Sequence, residues 1–355
     1  MKRFAMLFLI AAAALAAVSC SQKPRLYVLN WGDYMDPELI AAFEDEYGVL
    51  VSYKPAGSNE EMATLLRSGN QAYDIVVPSD YMIDKLIQED MLQPIDWSRL
   101  TNRTELTVIP KLADLIASMP FSDYAVPYAW GTIGILYNKN AAGLSAYLEE
   151  EGWGALFEGG ANYRIGMYDS PRDAVAAALL YAGFHVNSDD AGELAIAETA
   201  LTNAGFDAWG EDNLKGLVIS GNLNMALVYS GDYFSEYYIA LDDGLDITFD
   251  YYVPEATNVW MDAMVIPKNA QNVELAHQFI DFFLNDDIAV RNADYIGYAP
   301  CYQEVYDVLL SEDYGYDFPT FDPYPAGTTR QMYRFGSDDR QARITAILER
   351  AKAGN

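Results

Sequence analysis

Four short segments of the chain repeat one pairing, an aromatic ring beside a carboxylate: Asn30-Trp31-Gly32-Asp33-Tyr34, Pro78-Ser79-Asp80-Tyr81, Tyr168-Asp169-Ser170-Pro171-Arg172-Asp173 and Tyr229-Ser230-Gly231-Asp232-Tyr233. Each follows an apolar run of strand type and leads into a run of helical period. A helix N-terminus carries partial positive charge and by itself suits an anion, so an Asp placed there inverts the preference. Any one of Asp33, Asp80, Asp169 and Asp232 is accounted for as a helix cap. Caps do not require a Trp or Tyr beside every carboxylate, however, and the four together read as the lining of an acidic, aromatic cleft. An alkyl amine suits such a lining, since rings can sandwich its methylene stem while carboxylates take its ammonium ends. A desolvated cation over a ring contributes ~2 kcal/mol, and a hydrogen bond to a carboxylate is roughly twice as strong as a neutral one. Sugars also stack on rings, but they need neutral donors and acceptors more than a negative field.

Catalysis is poorly supplied. The only histidines are His185 and His277, and His277 falls within an amphipathic helical pattern that gives it a structural role. Ser230 lacks the leading glycine of a nucleophile elbow. There is no phosphate loop, dinucleotide fingerprint, HExxH or paired CxxC, so neither cofactor nor metal is expected. Asp242-Asp243-Gly244-Leu245-Asp246 fails the spacing of a calcium loop and reads as a solvated turn. Two cleft carboxylates could in principle hydrolyse a glycoside, a remote alternative.

Charge points the same way as the cleft. The chain carries 52 acidic against 22 basic residues, a formal net charge of −30. That field repels phosphates, excludes nucleic acid as a partner and attracts cations. Lys2 and Arg3 precede a charge-free run from Phe4 to Val18 that ends in Ala17-Val18-Ser19-Cys20. The run is short for a membrane span and reads as a signal peptide over residues 1–19. A small residue before a cysteine resembles a bacterial lipobox, with Ala17 where Leu is usual, so Cys20 is the expected lipidation site and the membrane the expected tether. Only Cys20 and Cys301 are present, and a disulfide framework is excluded.

The elements that must position these residues alternate regularly. Arg25 to Trp31, Leu50 to Lys54 and Tyr73 to Val77 read as strands. Between them run helices opened by Asp36-Pro37 and by Ser58-Asn59-Glu60-Glu61 and stopped at Gly48 and Gly69. A further helix runs from about Met82 to Glu89. A second set follows Pro127-Tyr128-Ala129-Trp130-Gly131, with strands at Tyr163 to Met167, Leu223 to Val228, Ile247 to Val253 and Val259 to Ile266. Its helices run from Pro171 to Gly183, Asp190 to Gly205 and Val273 to Leu284. Strands joined by helical crossovers imply α/β architecture with doubly wound sheets, whose ligands bind beyond the carboxyl ends of the strands. The length allows about two domains at ~150 residues each.

Asn30-Trp31-Gly32-Asp33-Tyr34, Val77-Pro78-Ser79-Asp80-Tyr81, Trp260-Met261-Asp262-Ala263-Met264 and Ile296-Gly297-Tyr298, in order along the chain, resemble the motifs of the spermidine/putrescine-binding proteins of bacterial ABC importers. The resemblance implies two α/β lobes joined by a hinge, the periplasmic binding protein fold, with crossings near Tyr128 to Gly131 and Thr257 to Val259. One lobe would comprise 25–128 with 259–303, the other 129–258 with 304–355. It also implies that Trp31, Tyr34, Trp260 and Tyr298 box the ligand and that Asp262 holds an amine. Asp33, Ser79, Tyr81, Asp169 and Asp173 would complete the ends. Tyr229 stands where the family commonly has Trp, and Ser170 with Asp173 replaces a pair of acids. Asp80 stands where a small hydroxyl is usual, a candidate for the missing charge. Gln331 and Arg334 are both candidates for the C-terminal contact. The implied protein is not an enzyme; it is a monomer that hands a polyamine to a membrane permease. Another organic cation, an amino acid or a sugar is the alternative cargo, and a surface adhesin is the remote one.

Overall fold

The computed structural model describes residues 23–117, 119, 121–314 and 329–354. The expected leader and Cys20 lie outside them. Twelve strands are present among the described residues: β1 (Arg25–Asn30), β2 (Leu50–Pro55), β3 (Ile75–Val76), β4 (Leu92–Gln93), β5 (Ala125–Asn138), β6 (Ile165–Tyr168), β7 (Ala208–Gly210), β8 (Met225–Tyr229), β9 (Phe249–Tyr252), β10 (Ala256–Pro267), β11 (Ala299–Pro300) and β12 (Thr329–Met332). Their order is β2-β1-β3-β10-β5-β8-β6-β7. β1, β2 and β3 are mutually parallel, as are β7, β6 and β8, and helices connect them.

The helix boundaries follow local chemistry. Asp36 accepts from the Glu38 amide, Pro37 occupies the first turn and Gly48 closes the helix in the left-handed conformation. Ser58 caps the next helix through the Glu61 amide, and Gly69 ends it. The helix Pro171–Tyr181 is capped by Ser170 through the Asp173 amide. Asp173 is thereby committed to the buried side of the first turn.

The two lobes are joined through β5 and β10, which pair antiparallel from Val259↔Thr132 to Val265↔Ala125. From Ile133 onward β5 leaves β10 and pairs with β8 and β9 in the second lobe. At that handover side chains replace the ladder. Asn258 Oδ1 accepts from the Ile133 amide at 3.0 Å, and Thr257 donates its hydroxyl to the Ile133 carbonyl at 2.8 Å. Ser230 Oγ accepts from the Thr132 amide. Gly131 is required there, because a Cβ would sit 2.5 Å from both the Trp260 ring and Ser230 Oγ.

β5 is where local sequence signals mislead. Fourteen residues form a nearly continuous buried strand through Pro127, Gly131 and Gly134, a stretch to which the sequence reading assigns no strand. The register slips between Asp262 and Ala263, so that Tyr128 bulges out opposite Asp262. Pro127 lacks an N–H, and the Ala263 amide donates to the Pro78 carbonyl. Such a bulge re-aims side chains beside a site.

Candidate functional site

The ends of β1 and β3, the middle of β10 and the turn before β11 supply the first lobe's side of a buried cluster. At the end of β1 the Asn30 side chain accepts from the Trp31 amide and donates to the Tyr34 carbonyl, which fixes the turn. Tyr34 is thereby placed with its hydroxyl donating to Asp262 Oδ2 at 2.9 Å. Its ring meets Tyr128 and Tyr298 edge to face, each at 5.4 Å. Tyr298 in turn lies 5.6 Å from Trp260. After β3, Ser79 forms an antiparallel bridge with Asp262, and Asn59 clamps Ser79 through its amide and its hydroxyl.

The second lobe supplies the opposite wall. The Tyr229 ring lies 5.9 Å from Trp260, and its hydroxyl donates to Asp173 Oδ2 at 2.8 Å. Gly231 receives the Tyr298 ring of the first lobe so closely that a Cβ there would lie 1.9 Å from it. Arg172 stretches across the divide. Its guanidinium forks onto Asp173, donates to the Tyr229 hydroxyl and lies 4.2 Å over the Tyr81 ring of the first lobe. Burial is the largest influence and works against that charge, but Asp173 together with Tyr81, Tyr229 and Tyr333 outweighs it, and Arg172 stays protonated.

Sorting the acids by partner separates those satisfied within the protein from those that are not. Asp169 is bound by Lys352 and partly exposed. Asp232 is buried, which raises its pKa, and Lys215 at 3.0 Å opposes that rise. Asp173 belongs to Arg172, Tyr229 and Tyr333. Asp33 is exposed and holds a left-handed backbone at φ 48°, a conformation Asp tolerates. Asp33 and Asp169 therefore stand apart from the cluster. Asp80 and Asp262 do not: both are buried, and Asp80 Oδ2 and Asp262 Oδ1 have no hydrogen-bond partner. The same is true of the indole nitrogens of Trp31 and Trp260. Burial pushes the Asp262 carboxyl up to about 6 against the bonds from Ser79 and Tyr34, and it raises Asp80 well above the usual range.

Neither C-terminal candidate faces this cluster. Gln331 Oε1 accepts from the Val186 amide. The guanidinium of Arg334 is held by Asp84 of the first lobe at 3.0 Å, so it does not oppose a cation in the cleft. The residue between them does reach in: Tyr333 is buried, donates to Asp173 at 3.1 Å and lies under Arg172. Tyr333 and Arg172 are the members that sequence reasoning missed. The signal for Arg172 was its place beside Asp173 at a strand end, whereas nothing local marks Tyr333. His277 is structural, accepting from the Asp96 amide through Nε2 with Nδ1 on the Val273 carbonyl. Among the described residues no cluster of metal-ligating side chains is present.

Comparison with known proteins places this geometry in a family. Residues 38–317 match the bacterial extracellular solute-binding proteins. The spermidine/putrescine-binding periplasmic protein of Salmonella typhimurium is 33% identical over 297 residues, 82% of each chain. A putrescine-binding periplasmic protein of Pseudomonas aeruginosa is 30% identical over 358 residues, 94% of this chain and 97% of its own. The solved spermidine/putrescine ABC transporter substrate-binding protein of Streptococcus pneumoniae superposes with a TM-score of 0.77 at 30% identity, over 93% of this chain and 99% of the other. A Treponema pallidum lipoprotein superposes with a TM-score of 0.75 at 26% identity, over 92% and 99%. The first two are named as periplasmic binding proteins and the third as the substrate-binding part of an ABC transporter; this chain accordingly has the two-lobed α/β fold of a solute-binding protein and is not an enzyme. The chain belongs to the bacterial extracellular solute-binding proteins.

Proposed function

We propose that the chain is the exported capture component of an ABC importer and binds a polyamine, putrescine or spermidine, between its two lobes. The observation that carries this reading is the pair of buried carboxylate oxygens without partners, Asp262 Oδ1 and Asp80 Oδ2, with the Tyr34 ring, itself against Tyr298 and through it Trp260, bonded to Asp262. Buried carboxylates want cations, and rings beside them want an alkyl stem. An anionic or neutral polar cargo answers neither need. Ser79 and Tyr81 line the first-lobe side, and Tyr229 and Asp173 the second-lobe side, with Asp173 already neutralised by Arg172.

The lobes in this reading are 25–128 with 259–303 and 129–258 with 304–355, hinged where Thr257 and Asn258 grip Ile133. An amine touching both walls is fully contacted only when they meet, so it shifts the equilibrium toward closure, and the closed shape is what a permease accepts. Cys20 carries the lipid anchor outside the cytoplasmic membrane, a reading the resemblance to a lipoprotein supports. Calorimetry with putrescine, cadaverine and spermidine tests the proposal, with an amino acid and a sugar as controls. Micromolar or tighter binding of an amine is expected. Heat from a control alone, or from none of them, refutes it.

A further inference from the structure

Asp80 is placed by the same strand bridge that places Asp262. Ser79 pairs directly with Asp262, and the helix Asp80–Gln88 begins at the next residue. Asp80 therefore follows directly on the residue that bridges Asp262; both are buried, Asp80 0% and Asp262 6% exposed, and the charge of Asp262 is felt at Asp80. Helix capping does not explain Asp80, because Ser79 is the cap residue and Asp80 Oδ1 merely accepts from the adjacent Tyr81 amide. Its Oδ2 is left without a partner, as is Oδ1 of Asp262. Two buried carboxylates that act on each other's charge resist ionising together, and a cation between them relieves both.

We propose that Asp80 and Asp262 form one two-carboxylate clamp for a single ammonium, which holds a proton in its absence and releases it when the ammonium enters. This deepens the polyamine reading and rests on it. The exchange is balanced: a carboxylic acid and an incoming ammonium become a carboxylate–ammonium pair, and the acid's proton leaves to solvent. The facing groups set which carboxyl keeps it. From the first lobe, the Tyr34 and Ser79 hydroxyls both favour ionised Asp262. Tyr128 and Cys301, also close to Asp262, are neutral at physiological pH, their own values raised by burial. Within the first lobe Asp80 has a backbone amide in its favour and feels the charge of Asp262 against it. From the second lobe, Arg172 favours ionisation of both, while Asp173 opposes that of Asp80. Tyr333 sits beside Asp173 and adds no charge while its phenol is protonated. Desolvation outweighs all of these for Asp80, so Asp80 is the proton holder and Asp262 the first of the two to ionise.

The experiment is calorimetry of the full chain with putrescine at a pH of about 6 and again at about 8, in cacodylate and in MES or a second buffer of different ionisation heat. Between roughly one and one and a half protons should leave per amine bound at the lower pH, so that below it the apparent affinity falls about tenfold or more per unit of pH. In Asp80→Asn the release should drop by at least half and putrescine affinity at pH 8 should fall about tenfold or more. Thermal melting checks that the variant is folded, and Asp80→Ser gives an independent second variant. Putrescine binding with no proton release in the wild type, or with release unchanged in both variants, overturns the clamp and leaves the polyamine reading standing. Absence of binding by any amine overturns both.

Discussion

Replacing Asp262 with Asn should move ligand-free stability and ligand affinity in opposite directions. Burial raises the Asp262 carboxyl from 3.8 to about 6. The stability linked to this group is therefore fully present below about pH 4, where it is neutral in both states. It is lost as pH rises through 6. At pH 8 the ionised side chain costs the ligand-free fold about 3 kcal/mol, from two decades of proton affinity at ~1.4 kcal/mol each. Asn removes that cost and keeps a carbonyl oxygen for the Tyr34 hydroxyl, now 2.9 Å from Oδ2. Its amide group replaces an oxygen that already lacks a partner, at a cost of ~1–3 kcal/mol for unpaired donors. The balance at pH 8 lies between neutral and about 2 kcal/mol in favour of the variant, and it disappears near pH 5. Binding behaves otherwise. A buried ammonium that loses its carboxylate forfeits at least ~2 kcal/mol, roughly thirtyfold in affinity. Urea melts of both proteins at pH 8 and 5, with and without putrescine, read all of these quantities. A variant that unfolds markedly more easily than wild type at pH 8 would make Asp262 a structural acid, and one that binds putrescine at wild-type affinity would remove it from the site.

Other changes separate the roles of neighbouring residues. Trp260→Leu takes away a ring face packed between Tyr229 and Tyr298. It should weaken amine binding by about 2 kcal/mol, with fluorescence titration as the measure, and an unchanged affinity would place the ligand elsewhere. Gly231→Val puts atoms where the Tyr298 ring lies. It should hold the two walls apart and abolish ligand-induced compaction in small-angle scattering; normal compaction would show that the lobes close without this contact. Across the far side of the lobes, Arg334 bonds Asp84, and Lys85 lies over Phe335 and pairs with Asp338. Because Arg334 is half-exposed, its contribution to closure is limited to about 1 kcal/mol, so Arg334→Ala should lower affinity about fivefold in dilute buffer and less in 0.5 M salt. Calorimetry at two salt concentrations checks this, and a loss that persists at high salt would contradict the ionic account.

What could be read from the sequence was whatever chemistry is local. Asp36, Ser58 and Ser170 cap helices through bonds that span two or three residues, and the residue types needed for those bonds are visible in a short window. The convergence of strand ends was legible for the same reason, since a parallel crossover brings the carboxyl ends of its strands to one edge. The identity of the free charges was not. Asp169 and Asp232 look like Asp80 in sequence, yet Lys352, 183 residues away, and Lys215, 17 residues away, have already neutralised them. No window contains those partners. β5 misled for a related reason: Pro127, Gly131 and Gly134 break a strand by propensity, but here each answers to a tertiary demand. Pro127 stands at the bulge opposite Asp262, Gly131 lies against Trp260, and Gly134 against Tyr251. The side chains that would penalise a strand are thus absent where other parts of the chain must come close. The same logic bears on cargo. A count of acids along the sequence suggests several places for an ammonium. Among the described residues, the buried acids with a carboxylate oxygen that lacks a hydrogen-bond partner are Asp80 and Asp262, both on the first lobe's wall. In the proposed polyamine reading the amine's charge is then met by one lobe, while the second lobe contributes rings, the Gly231 seat for Tyr298 and the Arg172 arm over Tyr81. Capture by the first wall followed by closure of the second is the order of events that this division favours.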